Sequence, residues 1–345
     1  MKTQGTISKL PQPLLQVEGL SKQFSLKQGL FSSDGPSLTA IDRVSFNIEA
    51  GQIYGLVGES GSGKSTLGRA ILQLIKPDSG KVYFHGKDLC VAGVAELSAT
   101  RKKLQVIFQD SSAALSPRRT ILQSLLEPLD QFNIGSKGQR RQICEQALAT
   151  VGLDNEVLGR LPHQLSSGQR QRIGIARAVL TEPDLIIADE AVSALDVSVQ
   201  ARILELIRTL QSERGIAFLF ISHDLAVISQ VADVVGVMYQ GQIVESAPVD
   251  SLFGQPSHPY TQELLAAIPD ADPAVKMSPV KVKTGLSRSI QTTACVFANR
   301  CVSVMPKCRV QAPQDFRLES DKHHHVRCHL YSEQAPIIPA EQNDL

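Results

Sequence analysis

The spacing of apolar positions along this chain changes several times, and each change predicts an element. Leu14 to Val17 and Val44 to Ile48 alternate apolar with polar residues, the two-residue period of strands with one buried face. A Gly- and Ser-rich excursion from Gln28 to Ser37 joins them, so an antiparallel edge sheet is expected. Ile53 to Val57, Leu185 to Ala188 and the run from Phe218 that ends at Ser222 are instead almost continuously apolar. Such runs, alternating with helical stretches, belong to a parallel sheet covered on both faces, with site residues at the carboxyl ends of its strands. Between about 101 and 180 the apolar spacing lengthens to three and four residues, clearest in Gln142 to Val151 and Gln169 to Leu180, which predicts a helical subdomain. Val234 to Tyr239, Gly241 and Gln242 to Glu245 read as a closing hairpin.

Chemistry is written where the buried strands end. Ile53 to Val57 runs into Gly58-Glu59-Ser60-Gly61-Ser62-Gly63-Lys64-Ser65-Thr66, the strand, loop and helix order of a phosphate-binding P-loop. Such a loop aims successive N–H groups at phosphates, and its glycines let the backbone come close; Lys64 reaches the terminal phosphates and the Ser65 hydroxyl ligates Mg²⁺. By residue frequencies alone the pattern arises on the order of once in a hundred chains of this length, so the motifs behind it decide. They follow in order: Leu165-Ser166-Ser167-Gly168-Gln169, a strand ending in Asp189-Glu190, Ser193-Ala194-Leu195-Asp196, and His223. A strand ending in Asp-Glu is the Walker B arrangement, with Asp189 holding Mg²⁺ directly or through water and Glu190 orienting and deprotonating the attacking water.

LSSGQRQRIGIARA, IIADEAVSALD and ISHD resemble the signature motif, Walker B with D-loop, and H-loop of ABC ATPases, over roughly residues 13 to 260. GESGSGKSTLGRAI, DVSVQARILELI, ISHDLAVIS and SHPYTQELLAAIP resemble more narrowly the ATP-binding subunits of oligopeptide and dipeptide ABC importers. The resemblance implies an α/β P-loop NTPase of ABC ATPase type, with an antiparallel β edge subdomain, a helical subdomain and a small cysteine-containing C-terminal extension. Its expected parts are an N-terminal tail over 1–12, an ABC ATPase domain over 13–260 and an extension over 261–345. It also implies that two ATPase subunits clamp two ATP molecules with Mg²⁺, each between one subunit's P-loop and the other's signature motif. The second subunit would be a paralogue; two transmembrane permeases, and indirectly a solute-binding protein, complete the partners.

Residue by residue, the resemblance gives a catalytic set of Lys64, Gln109, Glu190 and His223. The nucleotide-binding set is Phe24, Gly58, Ser60, Gly61, Ser62, Gly63, Lys64, Ser65, Thr66, Ser166, Gly168, Gln169 and Asp196, and Ser65, Gln109 and Asp189 form the Mg²⁺ set. Gln109, in VIFQDSS, is either a polar strand terminus or the Q-loop glutamine that touches Mg²⁺ or water and relays to the membrane subunits. Phe24, in LSKQF, matches the adenine-stacking aromatic, a contact worth on the order of 1–3 kcal/mol by analogy with base stacking; Phe31 competes for the role, and core packing is the alternative. A lone His is often a core imidazole, but His223, after a buried strand and before Asp224, fits a γ-phosphate contact. Two departures stand out. Ser167 replaces the first glycine of LSGGQ, leaving Ser166 and Gly168 to present a helix N-terminus to an anion. The stretch Ser111 to Arg118 lacks the proline that commonly follows Gln-Asp in this family, which alters the expected coupling surface.

Composition narrows the partners. Lys plus Arg number 35 against 34 Asp plus Glu, without the clustered positive footprint that nucleic acid requires. A length of 345 residues suits about two domains. Apolar runs such as Ile216 to Ile221 fall far short of the ~20 residues that span a bilayer, and Met1 to Val17 has no apolar core of signal-peptide type. A peripheral position on the cytoplasmic face of the membrane is therefore expected. Cargo is read by partner subunits, so nickel or another small solute stands as an alternative to peptides, and a non-transport ABC ATPase as a more distant one.

Four of the six cysteines, Cys295, Cys301, Cys308 and Cys328, fall in the tail, whereas Cys90 and Cys144 read as ordinary thiols. A cysteine cluster in a cytosolic chain points to metal rather than disulfides. Intervening lengths of five, six and nineteen residues lack the CxxC pairing of common zinc sites. ACVFANRC, PKC and HHHVRCHL resemble the tail of peptide-importer ATPases, some of which carry a [4Fe–4S] cluster on four thiolates. Zinc with His323, His324, His325 or His329, and four reduced thiols without metal, are the alternatives.

Overall fold

The computed structural model describes residues 12–25, 37–109, 115–193, 195–268, 293–318 and 321–332. Phe31, Ala194, Ser111 to Ala114 and almost all of the 1–12 tail lie outside the described residues.

Leu15–Ser25 (β1) pairs antiparallel with both Ser37–Ile48 (β2) and Ser79–Phe84 (β4), and Lys87–Asp88 (β5) completes a four-stranded sheet in the order β2-β1-β4-β5. A second sheet contains Ile53–Val57 (β3), Leu104–Ile107 (β6), Leu185–Asp189 (β7), Ala217–Ile221 (β8), Val234–Tyr239 (β9), Gln242–Pro248 (β10), Phe316–Arg317 (β11) and His325–Val326 (β12). Its order is β11-β12-β10-β9-β3-β8-β7-β6. From β9 to β6 neighbours run parallel, and from β9 to β11 they run antiparallel. Every residue of β3, β7 and β8 is buried, which is why these strands read as unbroken apolar runs rather than alternations.

Alternation survives in where the side chains go. Phe218 and Phe220 of β8 and Ile186 and Ala188 of β7 join one core cluster, while Leu219, Ile221, Leu185 and Ile187 join another on the opposite face. The first cluster takes in Ile121–Gln131 (α3), Arg140–Thr150 (α4), Ser167–Val179 (α5) and Val197–Arg214 (α6); the second takes in Lys64–Ile71 (α1) and the antiparallel sheet. Val94–Lys103 (α2), Leu225–Val231 (α7), Val249–Gly254 (α8) and Pro259–Ala266 (α9) complete the α-helices among the described residues. The antiparallel edge sheet and the closing hairpin of β9 and β10 stand as the periodicity predicts. One departure is β6, which lies inside the stretch that reads as helical from 101 onward. Its four residues, Leu-Gln-Val-Ile, are too few for spacing to separate strand from helix, and pairing with Leu185 to Ala188 decides the matter.

The tail is bound to the sheet by a buried carboxylate. Glu245 of β10 is 1 % exposed and accepts N–H bonds from Ser257 and His258 at 2.7 and 2.8 Å, with His324 Nε2 at 2.6 Å. His258 is equally buried, and its Nδ1 accepts the Tyr260 N–H at 3.0 Å, capping α9. Burial pulls the His258 pKa from 6.5 down to about 4, with Glu245 opposing the shift. The imidazole is therefore neutral in the folded chain, while the unfolded chain takes up a proton below pH 6.5. This contribution is intact above pH 6.5 and is lost progressively as pH falls toward 4. Between pH 7 and 5 the wild-type protein is expected to lose about 2 kcal/mol more stability than His258→Asn. Denaturant unfolding at both values checks this; equal losses in the two proteins would remove His258 as the source.

Candidate functional site

Of the five parallel strands among the described residues, β3, β6, β7 and β8 deliver the candidate residues at their carboxyl ends, at the crevice where ligands bind in open α/β folds. After β3 the chain enters the Gly58–Thr66 loop, and β7 delivers Asp189 and Glu190; Ser222 and His223 follow β8, and Gln109 follows β6. Two glycines make the loop's close approach possible. Gly58 has φ 152°, and a Cβ there would sit 2.1 Å from the Met238 carbonyl oxygen; Gly63 has φ 109°, and its Cβ would sit 2.1 Å from the Ala40 carbonyl oxygen. Gly63 is also the N-cap of α1, whose first-turn N–H groups have no intrahelical partner and would suit an anion at the positive end of the helix.

Lys64 is 4 % exposed and donates from Nζ to the Gly58 and Glu59 carbonyls at 2.7 and 2.9 Å, with Ser62 Oγ at 3.4 Å. Burial draws its pKa down, opposed by the charges of Glu190, Asp189 and Glu59. Ser65 Oγ donates to Asp189 Oδ1 at 2.8 Å, and burial pushes the Asp189 carboxyl up against that bond and the Arg69 charge. A buried carboxylate beside a hydroxyl is the hard oxygen pair that suits Mg²⁺, and a cation there would relieve its desolvation.

Glu190 sits in the left-handed region at φ 49°, with its N–H bonded to the Ile221 carbonyl at 3.0 Å. Gln109 Nε2 donates to Glu190 Oε2 at 2.9 Å, and His223 Nδ1 lies 3.5 Å from Oε1. Gln109, Glu190 and His223 thus form one row beside the Lys64, Ser65 and Asp189 group. Ser60 and Gly61 lie exposed on the loop, Ser62 is buried, and Thr66 is half-buried in α1.

Other residues of the expected set sit on other elements. Ser166 caps α5, accepting the Gln169 N–H at 3.2 Å while Gln169 Oε1 accepts the Ser166 N–H at 3.0 Å. Gly168 is buried in that first turn, and Ser167 is exposed. Exposed Asp196 is the N-cap of α6. Among the described residues none of Ser166, Gly168, Gln169 or Asp196 hydrogen-bonds to the P-loop. Phe24 lies opposite Leu38 on the antiparallel sheet, half-buried, with Lys22 Nζ 5.7 Å from its ring centroid.

The tail cysteines depart from the metal expectation. None of the four is in a disulfide; Cys301, Cys308 and Cys328 are buried and Cys295 is half-buried. They are near enough for their charges to add to the effect of burial, which pushes Cys328 up to about 12. Yet Cys301 packs in the main core and Cys328 in a separate cluster with Phe316, Leu318 and Val326. Among the described residues no three His, Cys, Asp or Glu converge closely enough to hold a metal ion. Zinc fares no better from the histidines: His324 is taken by Glu245, and His329 Nε2 pairs with the Gln311 carbonyl at 2.8 Å.

Sequence reading missed the tail's reach into the loop. Tyr260 Oη accepts the Glu59 N–H at 3.0 Å, and Arg300 pairs with the Glu59 carboxylate. Nothing in local spacing signals contacts across 201 and 241 residues.

A family model described as "ABC transporter" matches residues 41–193, and one described as "Oligopeptide/dipeptide transporter, C-terminal region" matches residues 244–308. The "Probable peptide ABC transporter ATP-binding protein y4tS" of Sinorhizobium fredii is 46% identical over 301 residues, spanning 87% of this chain and 85% of that protein. The chain belongs to the oligopeptide/dipeptide class of ABC transporter ATP-binding subunits. Within this family it is also similar to the "Oligopeptide transport ATP-binding protein AppF" of Bacillus subtilis, 43% identical over 323 residues, 92% of this chain and 98% of that protein. Among solved structures, the dimeric post-hydrolysis state of the ATP-binding cassette MJ0796 bound to ADP and Pi aligns with TM-score 0.60 and 28% identity, covering 68% of this chain and 98% of that one. CbiO1 from Clostridium perfringens, part of the transporter complex cbiONQ, aligns with TM-score 0.61 and 26% identity over 70% of this chain and 91% of that one. As an ABC ATPase of this fold the chain binds and hydrolyses ATP.

Proposed function

We propose that this chain is the energy-coupling ATPase of an importer for oligopeptides or dipeptides, working on the cytoplasmic face of the membrane with two permeases and a second, paralogous ATPase. The observation that carries the catalytic part is the Gln109–Glu190–His223 row, set at the strand ends beside Lys64 and the Ser65–Asp189 pair. In this reading the loop N–H groups and Lys64 hold the β- and γ-phosphates, and Ser65, Asp189 and Gln109 serve Mg²⁺. The metal supplies charge neutralisation on the transferring phosphoryl group. Glu190 takes a proton from the attacking water, Gln109 fixes the carboxylate, and His223 contacts the γ-phosphate. Phe24 stacks on adenine, and Ser166, Gly168, Gln169 and Asp196 serve the partner's nucleotide.

The peptide cargo is supported by the names of y4tS and AppF and by the match of residues 244–308 to a peptide-transporter region. Among the described residues no helix is long and apolar enough to cross a membrane, so membrane attachment goes through partners. A groove of about 290 Å³ along β6, lined by Leu104, Phe108, Leu115, Pro128 and Phe132, offers the permeases an apolar seat that reaches Phe108, the residue before Gln109. The domain limits proposed are 1–12, 13–260 with the helical subdomain at about 101–180, and 261–345. For the tail, the [4Fe–4S] reading rests on the resemblance carried by its four cysteines and on the charge coupling of Cys328 to Cys295, Cys301 and Cys308; iron content after anaerobic purification decides it.

Sharing of sites between subunits makes hydrolysis depend on association. Specific ATPase activity of the purified chain is expected to fall on dilution and to rise on addition of the paralogue and permeases. Full activity in a demonstrably monomeric sample would contradict the shared site.

A further inference from the structure

We infer that Arg300, carried by the C-terminal tail, is a positioning residue of the nucleotide site that neutralises Glu59 inside the phosphate loop. The inference rests on the P-loop reading of Gly58 to Thr66. Glu59 is the second residue of a loop built to receive a polyanion, and a carboxylate there repels what the loop binds unless its charge is cancelled. Arg300 does so in the two-pronged geometry in which a guanidinium fork fits a carboxylate: Nη1 donates to Oε2 at 3.0 Å and Nη2 to Oε1 at 2.7 Å. The fork is itself held in place. Arg300 Nε and Nη2 donate to Glu263 Oε1 at 3.1 and 2.5 Å, so the guanidinium bridges the two carboxylates, and it lies 5.8 Å from the Tyr260 ring centroid and 6.0 Å from that of Phe297.

Glu59 is gripped at three points. Its carboxylate meets Arg300, its N–H is bonded to Tyr260 Oη, and its carbonyl accepts from Lys64 Nζ at 2.9 Å. One residue therefore joins the tail directly to the lysine that reaches the phosphates. Without Arg300 the Glu59 charge would be free to repel the phosphates and to compete with them for Lys64. Both effects weaken MgATP binding, and both vanish if the Glu59 charge is removed as well. A strut that merely packs the tail would show no such rescue.

The test is equilibrium binding of MgATP to the full-length chain, with far-UV circular dichroism to confirm folding. Arg300→Gln is expected to weaken binding about tenfold at low ionic strength and less at high salt. The double variant Arg300→Gln with Glu59→Gln should recover most of the loss. Arg300→Lys, which keeps the charge but not the fork, should fall between Arg300→Gln and the wild type. In the assembled transporter the Arg300→Gln defect should be a raised KM for ATP with kcat retained. Wild-type affinity in a folded Arg300→Gln, or a double variant as weak as the single one, would overturn the inference. Should Arg300→Gln fail to fold, Arg300→Lys and the double variant decide: the inference requires the double to bind at least as well as Arg300→Lys and fails if it binds more weakly. Lys64→Ala separates the underlying reading, since wild-type binding by that variant would defeat the P-loop assignment itself.

Discussion

Glu190→Gln is expected to keep MgATP affinity near that of the wild type while lowering steady-state hydrolysis by about 10²–10⁴, the range attributed to a positioned general base. The amide preserves the shape of the side chain. Its oxygen still accepts from Gln109 Nε2 in place of the 2.9 Å bond to Oε2, so the row stays assembled while the base is gone. The phosphate loop is untouched, because Glu190 reaches Lys64 only through its field. ATP-bound dimers should accumulate. Binding and turnover measured on the same preparation distinguish this from a folding defect, and near-normal turnover would remove Glu190 from the role of base.

Gly63→Ala is expected to lower MgATP affinity on the order of 100-fold, about 3 kcal/mol. A side chain at φ 109° is strained by about 1–3 kcal/mol before any contact is counted. Its Cβ would also meet the Ala40 carbonyl oxygen at 2.1 Å and Met238 Cε at 2.9 Å. The first of these is backbone of β2 and cannot swing aside, so the loop must withdraw, and the bond from the Gly241 N–H to the Ser62 carbonyl, 2.8 Å, is drawn with it. The N–H groups at the start of α1 then no longer converge on one phosphate position. Isothermal titration with MgATP checks the prediction, and affinity within a few-fold of wild type would show that the cradle tolerates the change.

What the sequence displays and what it conceals follow from the range of each interaction. β3, β7 and β8 are legible because burial on both faces leaves no polar position to interrupt them. β11 and β12 are two residues each and exist through pairing with β10, so no periodicity announces them. β6 is hidden for a similar reason, four residues at the edge of a stretch otherwise helical. In the site, the order of motifs points to Glu190 and His223 and the resemblance adds Gln109, and the structure sets the three side by side. Composition cannot show that Glu59, outside the expected binding set, meets a residue 241 places away. The cysteines illustrate a third case: four thiols in one tail suggest a ligand set, and the fold brings Cys328 within reach of the charges of Cys295, Cys301 and Cys308 although Cys301 and Cys328 pack in different apolar clusters.

The measurement that bears most directly on the account is ATP-driven peptide uptake by the transporter that co-purifies with this chain. The complex, reconstituted in liposomes with its solute-binding protein on one side and MgATP on the side that bears this chain, should accumulate labelled oligopeptides. Uptake should cease when Glu190→Gln replaces the wild-type subunit. Purification without membrane subunits, or hydrolysis that proceeds indifferent to peptide and binding protein alike, would contradict it.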